Sequence, residues 1–101
     1  MGNVRRRQEH LGEKLRQIRL KLGLSQSEML RHLNAEEIIT YPQISGYESG
    51  NREPPLLILL QYARVAGVHM EALIDDEIEL PRNLPGPVKQ EKIKRRYKAR
   101  R

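Results

Sequence analysis

The side chains of this sequence that are best suited to chemistry are cations gathered at its two ends. Residues 1–7 hold three Arg and no acid, and residues 82–101 hold nine Lys or Arg against one Glu. The stretch 8–81 has a formal charge of −5, although the whole chain of 101 residues has a charge of +6. Because clusters of Lys and Arg neutralise phosphates, this distribution indicates a polyanionic partner for the two ends.

The sequence contains no pattern of residue types that is typical of an enzyme or a metal site. There is no Cys, and the three His lie on different predicted helices, so that no helix offers two imidazole ligands. The acidic run 75–77 is typical of a solvated helix end, and the Ser residues are explained by helix caps. We therefore expect no catalytic residue, no metal ligand and no cofactor.

The distribution of apolar residues argues against a membrane or secreted protein. The uncharged stretch 54–63, than which none in the sequence is longer, is half of the roughly 20 residues that a membrane-spanning helix needs. The Arg residues near the N-terminus are not followed by the apolar segment of a signal peptide. Together with the absence of Cys, this predicts a cytoplasmic protein with no membrane partner.

The first two helices are predicted from apolar spacing and from capping residues. Apolar residues recur at steps of four, three and four over residues 11–22, which makes one buried stripe, and Gly23 is a suitable C-terminal cap. Ser25 followed three residues later by Glu28 forms a capping box that begins a second helix over about residues 26–33.

A third helix, over about residues 41–49, begins at a second capping box made by Thr40 and Gln43. Pro42 falls in the first turn, where the missing N–H costs nothing. We therefore expect the Gln43 side chain to bond within the capping box in preference to contacting a base.

Two more helices complete the predicted domain. The Pro-Pro pair at 54–55 begins a fourth helix that runs to about residue 66, and a short fifth helix follows over residues 68–74. We assign residues 9–80 to one helical domain. Residues 1–8 are then a basic N-terminal arm and residues 81–101 a basic C-terminal tail, both expected to be disordered because they hold few apolar residues.

The order of these caps and apolar positions resembles the lambda-repressor-like (Xre-type) helix-turn-helix family. The matching segments are 23–29, 39–50 and 54–73, and the resemblance covers roughly residues 9–76. It implies an all-α, compact five-helix DNA-binding domain. In that family the third helix enters the major groove and the second crosses the phosphate backbone.

The resemblance also implies roles for individual residues, taken position by position. The positions that would face base edges are Tyr41, Pro42, Gln43, Ser45 and Gly46. The positions that would contact phosphates are Ser25, Gln26, Asn51 and Arg52. Arg19 and Glu48 match an ion pair that ties the first helix to the third, where it would orient the third helix more than stabilise the fold.

The fourth helix carries more apolar residues than one buried face requires. Leu57 and Ile58 correspond to positions that are usually polar in the family. A surplus of apolar surface on so small a domain is typical of an interface, so we expect a homodimer that uses these two residues together with the fifth helix.

These features favour a sequence-specific, or weakly specific, transcriptional regulator of bacterial or phage type that binds double-stranded DNA as a homodimer. The alternative is a protein-interaction module on the same fold, such as an antitoxin or an adaptor with a protein partner. The alternative is favoured by the acidic body and by a connection before Thr40 that is about four residues longer than usual. It is also favoured by the outward face of the third helix, which lacks Arg, Asn and Gln.

Overall fold

The five helices expected from the sequence are present in a computed structural model that describes residues 7–87. They are α1 (Leu11–Leu22), α2 (Gln26–His32), α3 (Tyr41–Ser49), α4 (Leu56–Ala66) and α5 (Met70–Ile74). No strand occurs among residues 7–87, and the all-α fold class is confirmed. The predicted disorder of the two arms concerns residues 1–6 and 88–101, which lie outside the described part of the chain.

The helix ends follow the local chemistry of the chain. Ser25 accepts a hydrogen bond from the Glu28 amide at 3.0 Å, and the Glu28 carboxylate accepts one from the Ser25 amide at 2.7 Å. The bond from the Ser25 amide lowers the pKa of Glu28 below its ordinary value. Helix α1 ends at Gly23, whose φ of +74° lies in the left-handed region that favours glycine.

All five helices and the connection between α2 and α3 contribute to one apolar core. The largest fully buried side chains are those of Leu15, Ile18, Met29, Leu33, Ile44, Ile58, Tyr62 and Leu73. The long α2–α3 connection is anchored by Ala35 and Ile39, which are also buried, while Glu36, Glu37 and Ile38 stay exposed between them. The extra residues of the connection therefore form an exposed surface without disturbing the core.

The prediction that Ile58 lines a dimer interface is wrong. Ile58 is 1% exposed and belongs to the core, whereas its neighbour Leu57 is 71% exposed. Successive residues of a helix point about 100° apart, and in α4 the boundary between the outward and the inward side falls between these two. The inward stripe of α4 consists of Ile58, Leu59, Tyr62, Ala63 and Ala66.

The segment after α5 packs back onto the domain, so the basic tail does not begin at residue 81 as the sequence suggested. The Lys21 ammonium donates to the Arg82 carbonyl at 2.6 Å, and the Gly86 amide donates to the Ala66 carbonyl at 3.1 Å. Leu84 packs against the core. The prolines of this segment end regular secondary structure, but they do not end the contacts with the helices.

Two polar side chains join α1 to the end of α5. Lys14 is only 5% exposed, and its ammonium donates to the carbonyls of Ala72 and Asp75, both at 2.8 Å. The Asp76 carboxylate accepts from the amides of Glu9 at 2.8 Å and of His10 at 3.1 Å. One member of the acidic run 75–77, expected to be only solvated, thus holds the two residues that precede α1.

The Asp76 contacts predict a pH-dependent contribution to stability. The bonds from the amides of Glu9 and His10 lower the pKa of Asp76 below its ordinary value of 3.8. A carboxylate whose pKa is lowered by folding stabilises the fold above its ordinary pKa, and the contribution is lost as the pH falls through the lowered value. We expect Asp76→Asn to lower Tm near neutral pH and to match the wild type in strong acid.

Thermal unfolding followed by circular dichroism, from about pH 7 to about pH 2, measures this difference. Glu77→Gln is the matched control, since its side chain is exposed and makes no hydrogen bond to α1 among the described residues. A Tm difference between Asp76→Asn and wild type that is constant over the whole range would contradict the assignment.

Candidate nucleic-acid interface

Helix α3 has one buried face and one exposed face. Ile44 and Tyr47 point into the core, where burial raises the pKa of Tyr47. Tyr41, Pro42 and Ser45 are exposed on the other side. The helix packs on α1 and α2, and its outward side is free among the described residues. Apart from Tyr41, the side chains on this face are small.

A close approach between α1 and α3 fixes the position of this helix. A Cβ atom at Gly12 would lie 2.6 Å from the Tyr47 carbonyl oxygen and 2.8 Å from the Glu48 carbonyl oxygen. Only glycine allows the two backbones to come so close. The last turn of α3 is therefore pressed onto the first turn of α1.

Gln43 is engaged by the cap at the start of α3. Its side-chain oxygen accepts from the Thr40 amide at 3.0 Å and from the Thr40 hydroxyl at 3.3 Å. The carboxamide NH₂ of Gln43 makes no hydrogen bond among the described residues and keeps two donors. Gln43 can therefore donate a hydrogen bond to a ligand, but its side-chain oxygen already accepts from Thr40.

The structure brings Arg19 and Glu48 together in a two-pronged ion pair. The Nε–Oε2 distance is 2.7 Å and the Nη2–Oε1 distance is 3.0 Å, and the two side chains are 12% and 5% exposed. Arg19 also donates to the Leu24 carbonyl at 2.9 Å. The hydrogen bond to Glu48 raises the pKa of Arg19 above its ordinary value. The pair ties α1 and the α1–α2 connection to the end of α3.

Gln26, expected to contact a phosphate, takes part in the same network. Its Nε2 donates to Glu48 Oε1 at 3.2 Å, which uses one of the two N–H groups of that nitrogen. The hydroxyl of Ser25 accepts from the Glu28 amide and keeps its own O–H as a donor. Both residues thus retain one donor each at the start of α2.

Beneath this network lies a buried hydroxyl. The Tyr62 OH is the one buried side-chain polar atom within residues 7–87 that has no hydrogen-bond partner. Burial raises the pKa of Tyr62 far above its ordinary value, so the hydroxyl stays protonated. It adds no charge beside the Arg19–Glu48 pair.

Asn51 and Arg52, the other expected phosphate contacts, are exposed on the loop after α3. The Arg52 amide donates to the Gly46 carbonyl at 3.1 Å. A Cβ atom at Gly46 would lie 2.9 Å from Cδ of Arg52, so the stem of Arg52 lies across Gly46. The loop therefore carries a guanidinium beside the outward face of α3, which the sequence of the helix alone did not reveal.

The described chain also begins next to α3. Arg7 donates to the Gly50 carbonyl at 3.3 Å, and its Nε lies 3.8 Å from a carboxylate oxygen of Glu53. A cleft of about 520 Å³ separates the start of α1 from residues 47–54, and both Arg7 and Arg52 line it. Two exposed cations thus stand near the end of α3, and one of them belongs to the predicted N-terminal arm.

One of three comparisons with known proteins gives a match. A family model for the helix-turn-helix matches residues 15–73, which include α2, α3 and the connection between them. No curated protein and no solved structure gives a match. None of the helices between residues 7 and 87 has the length and apolar content that spanning a bilayer requires. No group of three or more potential metal ligands occurs in the same part of the chain.

Proposed function

The chain belongs to the Xre/lambda-repressor-like helix-turn-helix family, and from this premise we propose that it regulates transcription by binding duplex DNA through α3. The observation that carries the proposal is the division of α3 into an anchored face and a free face. Ile44 and Tyr47 hold the helix on the core, while Tyr41, Pro42 and Ser45 stay exposed. The major groove of duplex DNA is wide enough to admit such a helix.

The outward residues support a short sequence preference. The rings of Tyr41 and Pro42 offer apolar contact to thymine methyl groups, and the Ser45 hydroxyl can donate to or accept from a base edge. The free NH₂ of Gln43 adds a donor. None of the bidentate contacts that Arg to guanine or Gln to adenine would supply is available here, so specificity rests on few base pairs.

Phosphate contacts on both sides of α3 supply the sequence-independent part of the affinity. The predicted phosphate contacts offer four free donors: one N–H of Gln26, the O–H of Ser25, the Asn51 amide and the Arg52 guanidinium. They flank α3 at the start of α2 and on the loop after α3. Contacts of this kind fix the register of the helix on the duplex.

Titration of the full chain with a duplex of random sequence, over a salt series, tests the proposal. We expect the affinity to fall steeply with salt, because bound cations release counterions from DNA. Ser45→Glu, on the outward face of α3, should remove binding. Gln17→Glu, on the exposed face of α1, makes the same change of charge and should leave binding unchanged. Affinity no better than millimolar at about 50 mM salt would contradict the proposal.

We further propose that the protein binds as a homodimer through the outer surface of α4. Leu56 and Leu57 are among its most exposed apolar residues, and Ile38 from the α2–α3 connection is exposed next to Leu57. A cleft of about 190 Å³ is lined by Ile38, Leu57 and Leu60. A contiguous apolar patch on a small domain is typical of an interface, and a self-complementary patch gives a two-fold dimer.

Leu57→Glu is expected to give a folded monomer, since Leu57 is exposed and its charge would prevent two copies from meeting. Ile58→Glu is expected to unfold the chain, because it places a carboxylate in the core. Sedimentation measures the mass and circular dichroism the helix content of each variant. Leu20→Glu, on the exposed side of α1, is the matched control. A Leu57→Glu variant that remains dimeric would place the interface elsewhere.

A second function, a protein-interaction module, is favoured by the α2–α3 connection. Glu36, Glu37 and Ile38 form an exposed surface with both charge and apolar area next to the start of α3. Residues 7–87 carry a formal charge of −3, which does not attract DNA by itself. A chain that binds duplex DNA only weakly, with no steep dependence on salt, would act through this surface instead.

A further inference from the structure

A second cleft lies where the chain leaves the described residues. It has a volume of about 370 Å³ and separates α5 from the segment 78–86 that packs back on the domain. Its apolar lining includes Val68, Ala72, Ile78, Pro81 and Pro85. Two carboxylates, those of Glu71 and Glu79, stand at the same cleft. It is therefore suited to a segment that has both apolar and cationic side chains.

The surroundings of this cleft are acidic. Five of the nine residues from 71 to 79 are acids, and none is a base. Asp76 is used by the start of α1, but Glu71, Glu77 and Glu79 are exposed and form no ion pair within residues 7–87. His69 also lines the cleft, and Lys21 donates to the backbone carbonyls of Pro81 and Arg82 at its edge, not to a carboxylate. Lys14 is buried and donates to the carbonyls of Ala72 and Asp75. Most of the negative charge faces solvent.

The remaining sequence of this chain has the complementary composition. Residues 88–101 hold eight Lys or Arg and one Glu, with Val88, Ile93 and Tyr97 spaced among them. Pro85 lines the cleft and Pro87 is the last described residue, so this segment starts at the cleft. Fourteen residues can span up to about 45 Å when extended, far more than is needed to fill it.

We propose that residues 88–101 occupy this cleft when DNA is absent, with their cations against Glu71 and Glu79 and an apolar side chain among Val68 and Ile78. The segment is tethered beside the cleft, and tethering gives it an effective concentration that is in the millimolar range for short linkers. A segment from a second copy cannot match this at ordinary protein concentrations.

If the tail docks in the cleft, the cleft acids and the DNA phosphates compete for the same cations. The same cations cannot lie on phosphates and on the acids of α5 at once, so the duplex must displace the segment from the cleft. This consequence rests on the proposed DNA-binding function, whereas the docking itself does not. The domain would thus hold its basic tail back from weak, non-specific contact with other polyanions.

A spin label on the tail of the full chain tests the docking directly. The chain has no Cys, so Ala99→Cys provides a single attachment point for a nitroxide. In low salt without DNA, we expect paramagnetic broadening of the amide signals of Val68, Ala72 and Ile78. Signals of α2 should remain sharp, and high salt should remove the broadening by screening.

Two charge-matched variants show whether the cleft acids are responsible. Glu71→Gln with Glu79→Gln should abolish the broadening at the cleft. Glu36→Gln with Glu37→Gln makes the same change of charge on the exposed α2–α3 connection and should leave it intact. Loss of broadening in both, or in neither, would overturn the proposal.

Three further outcomes separate the possible failures. Uniform or absent broadening in the free chain would show that the segment does not dock. Broadening that arises only between a spin-labelled chain and a separate isotope-labelled chain would assign the cleft to a second copy and overturn the tethered arrangement. Added duplex DNA should remove the broadening. If the broadening at the cleft persists while DNA is bound, the docking of the tail is supported and its proposed contact with DNA is contradicted.

Discussion

A chain that ends at Pro87 is expected to bind duplex DNA with a much weaker dependence on salt than the full chain. If about five of the eight cations in residues 88–101 reach phosphates, the slope of log affinity against log salt changes by about 4.5. Between about 50 and about 200 mM salt, this slope is worth on the order of 500-fold in affinity. The loss should be similar for every DNA sequence, because phosphate contacts carry no sequence information.

The structure determines where the truncation must be made. Residues 81–87 hold Leu84 against the core and Gly86 against α4. Ending the chain at Pro87 should therefore lower Tm far less than ending it at Leu80, which also removes the contacts of Leu84 and Gly86. If a chain ending at Pro87 keeps both the DNA affinity and the salt dependence of the full chain, the tail is not part of the DNA-binding site. The acidic domain would then have to be explained by a protein partner.

Glu48→Ala is expected to lower the free energy of unfolding by about 2–4 kcal/mol. The substitution strands the guanidinium of Arg19, which is only 12% exposed, and removes the acceptor of Gln26. A buried charge without its partner costs more than the pair contributed. Urea unfolding followed by circular dichroism measures the change, provided that the transition slope is the same in both proteins.

The double variant Arg19→Met with Glu48→Leu should recover much of this loss, because two apolar side chains of similar size replace the buried pair. Its DNA affinity should nevertheless stay below that of the wild type. The pair joins the end of α3 to α1 and to Gln26, and without it the helix loses a fixed orientation. Losses from Arg19→Met alone and Glu48→Leu alone that simply add in the double variant would show that the residues are not coupled.

Local capping chemistry is the part of the fold that the sequence predicted best. The boxes at Ser25 and Thr40 begin α2 and α3. The side chains involved are three residues apart, so their pairing needs no information from the rest of the chain. In contrast, α4 is apolar around most of its circumference, and its pattern does not say which residues face inward. Only its neighbours in the fold place Ile58 inside and Leu57 outside.

The contacts that the sequence missed join distant parts of the chain through backbone groups. Lys14 bonds carbonyls 58 and 61 residues away, and Asp76 bonds amides 66 and 67 residues away. A backbone carbonyl or amide is present at almost every residue, so such pairs leave no pattern of residue types. The same holds for Arg52 on Gly46, where the only sequence signal is a glycine on a helix face.

Selection of bound duplexes from a random pool is the measurement that most directly tests whether α3 reads DNA. The wild-type chain should enrich two half-sites related by two-fold symmetry, with centres about one helical turn, or about 34 Å, apart. Tyr41→Ala, which removes the largest outward side chain of α3, should enrich a motif that differs at one symmetric pair of positions and keeps the same spacing. No enrichment with the wild type, or the same motif from both proteins, would contradict the assignment of α3 as the reading helix.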